Sequence, residues 1–215
     1  ATVLTGDFIF SVAATLAAET KSIEAMRMFA ETLTTIVNGE ITQLFSSRGS
    51  LDRVNYYQRI YAKTASLFEL STTAAALLSP VSAETVKLAG KFGHAIGMAF
   101  QIIDDILDFM GDESTVGKPL GSDLRQGLVT LPVFYYMEQH PDDPDIARIT
   151  LGEGVEELAV IRLVEGVRCC GGIEGALEEA RAFVEDGLAA LRKLPEGIQR
   201  QALEDLARYI VDRQL

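Results

Sequence analysis

The sequence predicts an all-α fold, a single helical domain over residues 1–215. Apolar residues recur at helical spacing from one end to the other, and the strict alternation of half-buried strands is nearly absent. Proline is scarce, 6 in 215 residues, and Ser79-Pro80, Pro141 with Pro144, and Pro195 all fall between periodic segments rather than inside them.

A first helix is expected over about residues 4–18, with Phe8, Val12 and Leu16 on one side. A second, about 22–45, carries Ile23, Met26, Phe29, Leu33 and Ile36 as its buried stripe, and Asn38-Gly39 interrupts it. Glu40 and Gln43 follow one turn apart; an exposed face and a site role fit them equally. Residues 46–50 read as a turn around Gly49. The third helix, about 52–78, places Lys63 among Tyr56, Ile60, Leu67 and Leu70, one and two turns away. A lysine on such a stripe either snorkels or meets an internal anion, and the anion is the reading adopted.

Ser82 and Thr85 open the central helix, about 86–110. His94 within it reads as a satisfied core or groove histidine. Residues 111–123, with Gly111, Gly117, Pro119 and Gly121, form the most loop-like stretch and carry Lys118. Ser122 or Asp123 then caps a helix to about residue 138, bent at Gly127 and Pro132. Residues 141–145 are a turn and helix start. The remainder is helical, with breaks near Gly152-Glu153-Gly154, Gly171-Gly172 and Pro195-Glu196-Gly197.

Hydrophobic residues make up 48% and charged residues 23%, enough apolar content for a sizeable core. Lys+Arg 19 against Asp+Glu 31 leaves a net charge of −12, which argues against nucleic acid as a partner. An anionic ligand would have to be held by bound metal and a few placed lysines. Cys169 and Cys170 are adjacent and ill-suited to a structural disulfide, which fits a reducing, cytoplasmic compartment. No apolar run reads as long and uninterrupted enough to span a membrane, and no signal peptide is visible.

The chemistry centres on Phe100-Gln101-Ile102-Ile103-Asp104-Asp105-Ile106-Leu107-Asp108-Phe109. At roughly 100° per residue, Gln101, Asp104 and Asp108 share one arc, with Asp105 at its edge. Gly97, Gly93 and Gly90 extend the arc, as sites of close helix packing or as room for a ligand. Apolar residues surround the rest of the helix, so the carboxylates are expected to face the interior. Unpaired, they would repel and protonate; near a helix C-terminus the dipole opposes them further. A divalent cation with hard oxygen ligands, Mg²⁺ bridging to a phosphate, resolves the conflict.

With these residues in view, the chain resembles the trans-type polyprenyl diphosphate synthases over essentially its whole length. The resemblance rests on Gly6-Asp7-Phe8, Gly39-Glu40-x-x-Gln43, Lys63-Thr64-Ala65, Phe100-Gln101-Ile102-x-Asp104-Asp105-x-x-Asp108, Gly117-Lys118-Pro119-x-Gly121-x-Asp123-Leu124, Thr130-Leu131-Pro132 and Arg213. It implies a helical bundle of the isoprenoid synthase type. The implied reaction is Mg²⁺-assisted ionisation of an allylic prenyl diphosphate, whose cation alkylates isopentenyl diphosphate, in a homodimer. By the same resemblance Asp104, Asp105 and Asp108 are metal ligands, Asp104 the foremost. Lys63 and Lys118 bind diphosphate, Thr64 and Gln101 support the allylic end, and Asp123 holds Lys118 or metal-bound water.

Two departures stand out. Many members of that family place a further diphosphate-binding lysine where this chain has Leu128, a difference that tilts toward longer products. The family's first aspartate-rich motif and its basic isopentenyl diphosphate site would precede Ala1, so a truncated N-terminus is expected, and the 215 residues alone are expected not to elongate a prenyl chain. A class I terpene cyclase on the same fold and a non-catalytic partner subunit are the competing readings. The Lys63-Thr64 and Gly117-Lys118-Pro119 motifs favour the chain elongator over the first, and the intact aspartates disfavour the second.

Overall fold

A computed structural model describes residues 1–46, 52–110, 120–151 and 156–213. Among them every regular element is helical: α1 (Thr2–Glu19), α2 (Ile23–Ser46), α3 (Arg53–Ile60), a π-helical turn (Tyr61–Ala65), α4 (Ser66–Leu77), α5 (Ala83–Met110), α6 (Ser122–Arg125), α7 (Leu131–Gln139), α8 (Pro144–Leu151), α9 (Glu157–Cys169), α10 (Gly172–Leu191) and α11 (Ile198–Asp212).

The expected central helix is α5. It packs between α4 and α10, with the π turn, α7 and α11 completing its surroundings. Ile102, Ile103, Ile106 and Phe109 are wholly buried and meet Leu163, Leu188 and Leu191 in the core. Each such side chain stabilises the fold by roughly 1.5–3 kcal/mol relative to exposure. The glycine stripe of α5 serves helix packing. A Cβ on Gly97 would lie 2.6 Å from Ala65 Cα, and one on Gly93 would lie 2.6 Å from the Phe68 carbonyl oxygen. Arg168 of α9 donates from Nε to the Phe109 carbonyl at 2.6 Å, giving the negative end of α5 a cation that its own last turn lacks.

Several expectations change. α2 runs unbroken through Asn38-Gly39, because Gly39 lets the helix cross the π turn: a Cβ there would sit 2.7 Å from Ala62 Cβ. Ile23 is 87% exposed and Met26, Phe29, Leu33 and Ile36 are half-buried, so the α2 stripe is only partly covered. The helix expected up to residue 138 divides into α6 and α7, with Gly127 at φ +75° in the turn between them. The turn expected at 46–50, apart from the helical Ser46, and the break at 152–154 lie outside the described residues.

Length and composition alone bear on the membrane question at α1. α1 is 18 residues long with mean hydropathy 1.3 and none of it is buried, so by length and composition it passes as a membrane-spanning helix. Its hydroxyls obscure this in the sequence. In the helix Thr5, Ser11 and Thr15 donate back to carbonyls four residues earlier, at 3.1, 2.7 and 2.9 Å, which turns their polarity onto the helix's own backbone. Phe8 is 67% and Leu16 60% exposed.

Candidate functional site

The site forms where α3, the π turn, the last turns of α5 and α6 meet. The expectation that Lys63 follows the Tyr56–Ile60 stripe fails for a local reason. The π turn inserts a residue, so burial passes from Tyr56 and Ile60 to Ala65 and Ser66, leaving Lys63 exposed. The same turn brings Thr64 against α5, where its hydroxyl donates to Gln101 Oε1 at 2.6 Å. Lys63 reaches solvent, the snorkelling alternative, and its positive charge, with that of Arg59, opposes the rise that burial causes in the Asp123 carboxyl.

Gln101 is buried and fully engaged. Its Nε2 donates to Asp105 Oδ1 at 2.8 Å and approaches Asp104 Oδ2 at 3.4 Å. The three aspartates of the motif then part ways. Asp104 is exposed. Asp105 is 5% exposed and its second oxygen accepts the Tyr56 hydroxyl at 2.8 Å. Asp108 is half-buried; its two oxygens accept the backbone N–H groups of Ser122 and Asp123, each at 3.0 Å. The sequence expectation groups Asp105 with the metal ligands, whereas its carboxylate here turns into the core and orients Gln101. Asp108 fastens α6 to the end of α5, and the Gly121 N–H to Asp108 carbonyl bond at 2.9 Å completes the fastening.

The electrostatics record the crowding. Burial pushes the Asp105 carboxyl up to about 7, with nearby Asp123 adding to the shift and Gln101 and Tyr56 opposing it. Burial raises Asp108 and Asp123 as well, and repulsion from Asp104 adds to both. This acidic wall suits a hard divalent cation. Among the described residues no three acidic, histidine or cysteine side chains converge as a complete ligand set. Asp104, the exposed carboxylate of the motif, is the residue placed to meet such an ion from solvent.

His94 is satisfied as expected, with Nδ1 3.3 Å from Glu69 and its ring beside Tyr61. Glu40 is exposed and Gln43 half-buried on α2. Lys118 lies outside the described residues. Sequence reasoning missed Tyr56 and Arg59 as site residues; each precedes Lys63 by whole helical turns, but the chain distance to the aspartates hid their contacts.

An all-α bundle that sets a lysine-bearing π turn beside the acidic end of its central helix defines the class of fold. Comparison with known proteins agrees. Residues 1–164 match the Polyprenyl synthetase family model. The chain is 36% identical over 214 residues to solanesyl diphosphate synthase 1, chloroplastic, of Arabidopsis thaliana, covering 98% of this chain and 52% of that protein. It is 32% identical over 215 residues to octaprenyl diphosphate synthase of Escherichia coli, covering 99% and 67%. A crystal structure of polyprenyl synthase from Caulobacter crescentus, complexed with calcium and isoprenyl diphosphate, superposes with a TM-score of 0.90 at 32% identity, over 99% of this chain and 66% of that one. This chain belongs to the polyprenyl synthetase family. It spans about half the length of the plant relative and about two thirds of the bacterial one.

Proposed function

We propose that the protein carrying this chain condenses isopentenyl diphosphate with an allylic prenyl diphosphate to make a longer trans-polyprenyl diphosphate. The observation that carries this reading is the Thr64–Gln101–Asp104 juxtaposition with Lys63 on the adjacent turn. It links a hydroxyl, an amide and a carboxylate in series, with Lys63 the residue before Thr64. When bound, Mg²⁺ would stabilise the charge that builds on the departing diphosphate. Lys63 shares that task from the π turn, and Lys118 is its proposed counterpart from residues 111–119. Gln101 Oε1 and Thr64 Oγ1 face the allylic cation. Tyr56 and Asp105 keep the Gln101 amide oriented. Asp104 is the leading metal ligand, Asp108 and Asp123 lie behind it, and Asp123 also balances Lys63.

The proposed assembly is a homodimer. The exposed apolar residues Phe8, Ile9 and Leu16 of α1 offer a second copy a surface that α2 leaves uncovered. The function is tested by incubating the protein with Mg²⁺, an allylic diphosphate and labelled isopentenyl diphosphate. Extractable labelled prenyl product that disappears with chelator is expected. Its absence from folded full-length protein overturns the reading. Light scattering reads the dimer, and a monomeric mass overturns that part.

A further inference from the structure

Four carboxylates, Asp104, Asp105, Asp108 and Asp123, crowd this end of α5. Arg59 acts on Asp105 and Asp123, Lys63 on Asp123, and Arg125 on Asp108. Arg125 is committed elsewhere: it pairs with Glu157 at 2.5 Å and donates to the Leu120 carbonyl. Arg59 stands four residues before Lys63 and is half-buried, and its charge, like that of Lys63, acts on Asp123. Its Nη2 donates to the Val129 carbonyl at 2.7 Å and its Cζ lies 5.5 Å from the Tyr56 ring centroid. The segment it holds closes back on the acidic wall, since the Leu128 N–H donates to the Asp123 carbonyl at 2.9 Å. Leu128 and Val129 are buried and apolar, so this wall of the site draws its positive charge from Arg59. One carbonyl takes one of the five donors of a guanidinium, whose planar fork matches phosphate oxygens.

Resting on the diphosphate-handling reading above, we propose that Arg59 is a diphosphate-binding residue. Tethered to the Val129 carbonyl, it supplies the cation that the Leu128 segment lacks and holds a metal-bound diphosphate beside Lys63, Asp104 and Asp123. The bland account, a loop tether with no ligand, predicts something different. A tether depends on the Val129 contact and is indifferent to where a replacement charge is placed.

The test is calorimetric titration of the full-length protein carrying this chain with inorganic diphosphate in Mg²⁺, with a thermal melt of each variant to confirm folding. Arg59→Gln should weaken binding about tenfold, the scale of losing one charge-assisted contact at a partly solvated site. Arg59→Lys keeps the charge and should stay within about threefold of wild type. Arg59→Gln combined with Leu128→Lys returns a cation to the same wall without restoring the tether, and should regain most of the loss. Wild-type binding in Arg59→Gln overturns the proposal, as does a folded double variant that regains nothing. If wild type itself binds no diphosphate, the diphosphate-handling reading falls and takes this inference with it. If wild type binds, Asp104→Asn loses binding and Arg59→Gln does not, only the role of Arg59 is wrong.

Discussion

The Tyr56 hydroxyl donates to Asp105 Oδ2 at 2.8 Å, joining residues 49 positions apart and turning one aspartate of a three-aspartate motif into the core. Gln101 takes the other oxygen and passes the constraint to Thr64. Asp105 thus acts through its neighbours, while Asp104 faces outward.

Tyr56→Phe removes the donor and leaves a buried acceptor unsatisfied, at a cost of about 1–3 kcal/mol. Urea denaturation of the metal-free chain reads the loss. Because the freed Asp105 also releases Gln101, the substitution should lower kcat of the full enzyme more than it raises KM. An unchanged denaturation midpoint would show that the bond carries no stability.

The Asp105 carboxyl, raised to about 7 in the folded chain, binds its proton more tightly there than when unfolded. Between about pH 4 and about pH 7 the native state therefore carries the extra proton, and stability falls as pH rises through that window. The contribution is fully present below the unfolded value near 3.8 and lost above about 7. Asp105→Asn should flatten this part of the metal-free profile, so that the variant gains on wild type as pH rises. Parallel profiles for the two would contradict the assignment.

Gly97→Ala places a methyl 2.6 Å from backbone of the π turn, where no side chain can swing away. Overpacking of this kind costs typically about 1–3 kcal/mol, or roughly 2–10 °C in the melting temperature of a chain this size. The same shift should part Thr64 from Gln101, so activity should fall beyond the loss of folded protein. Wild-type melting would mean that α4 and α5 tolerate separation.

Asp104→Ala and Asp108→Ala should fail in different ways. Asp104 is exposed, so its loss should leave the melt unchanged and lower Mg²⁺-dependent turnover by about a hundredfold or more, consistent with removal of metal-held charge stabilisation. Asp108→Ala frees the two N–H groups of Ser122 and Asp123 and should cost about 1–3 kcal/mol of stability as well as activity. Equal melts for the two variants would remove the distinction.

Most of the helical frame was legible because periodicity is local. The 3.6-residue recurrence of apolar positions and the breakers near Ser79-Pro80 and Gly171-Gly172 fix where helices run. Gln101 and the aspartates stood out because three carboxylates in an apolar helix are anomalous on chain chemistry alone. Lys63 was legible as an anomaly too, although the reason given for it was incomplete. A π turn has no signature in hydrophobic pattern, and only packing against Gly97 reveals it.

Residue type and spacing by themselves determined the all-α class, the central helix, the acidic motif and the family to which they belong. Tertiary structure alone decided which aspartate turns inward, that Tyr56 bonds Asp105, and that Arg59 bonds the Val129 carbonyl. The physical reason is range. Helix formation and side-chain phase follow from neighbours within a few residues, whereas burial, hydrogen-bond partnership and the charge felt by a carboxylate depend on groups that the chain brings together only on folding: Tyr56 and Asp105, Arg59 and Val129, Arg168 and Phe109.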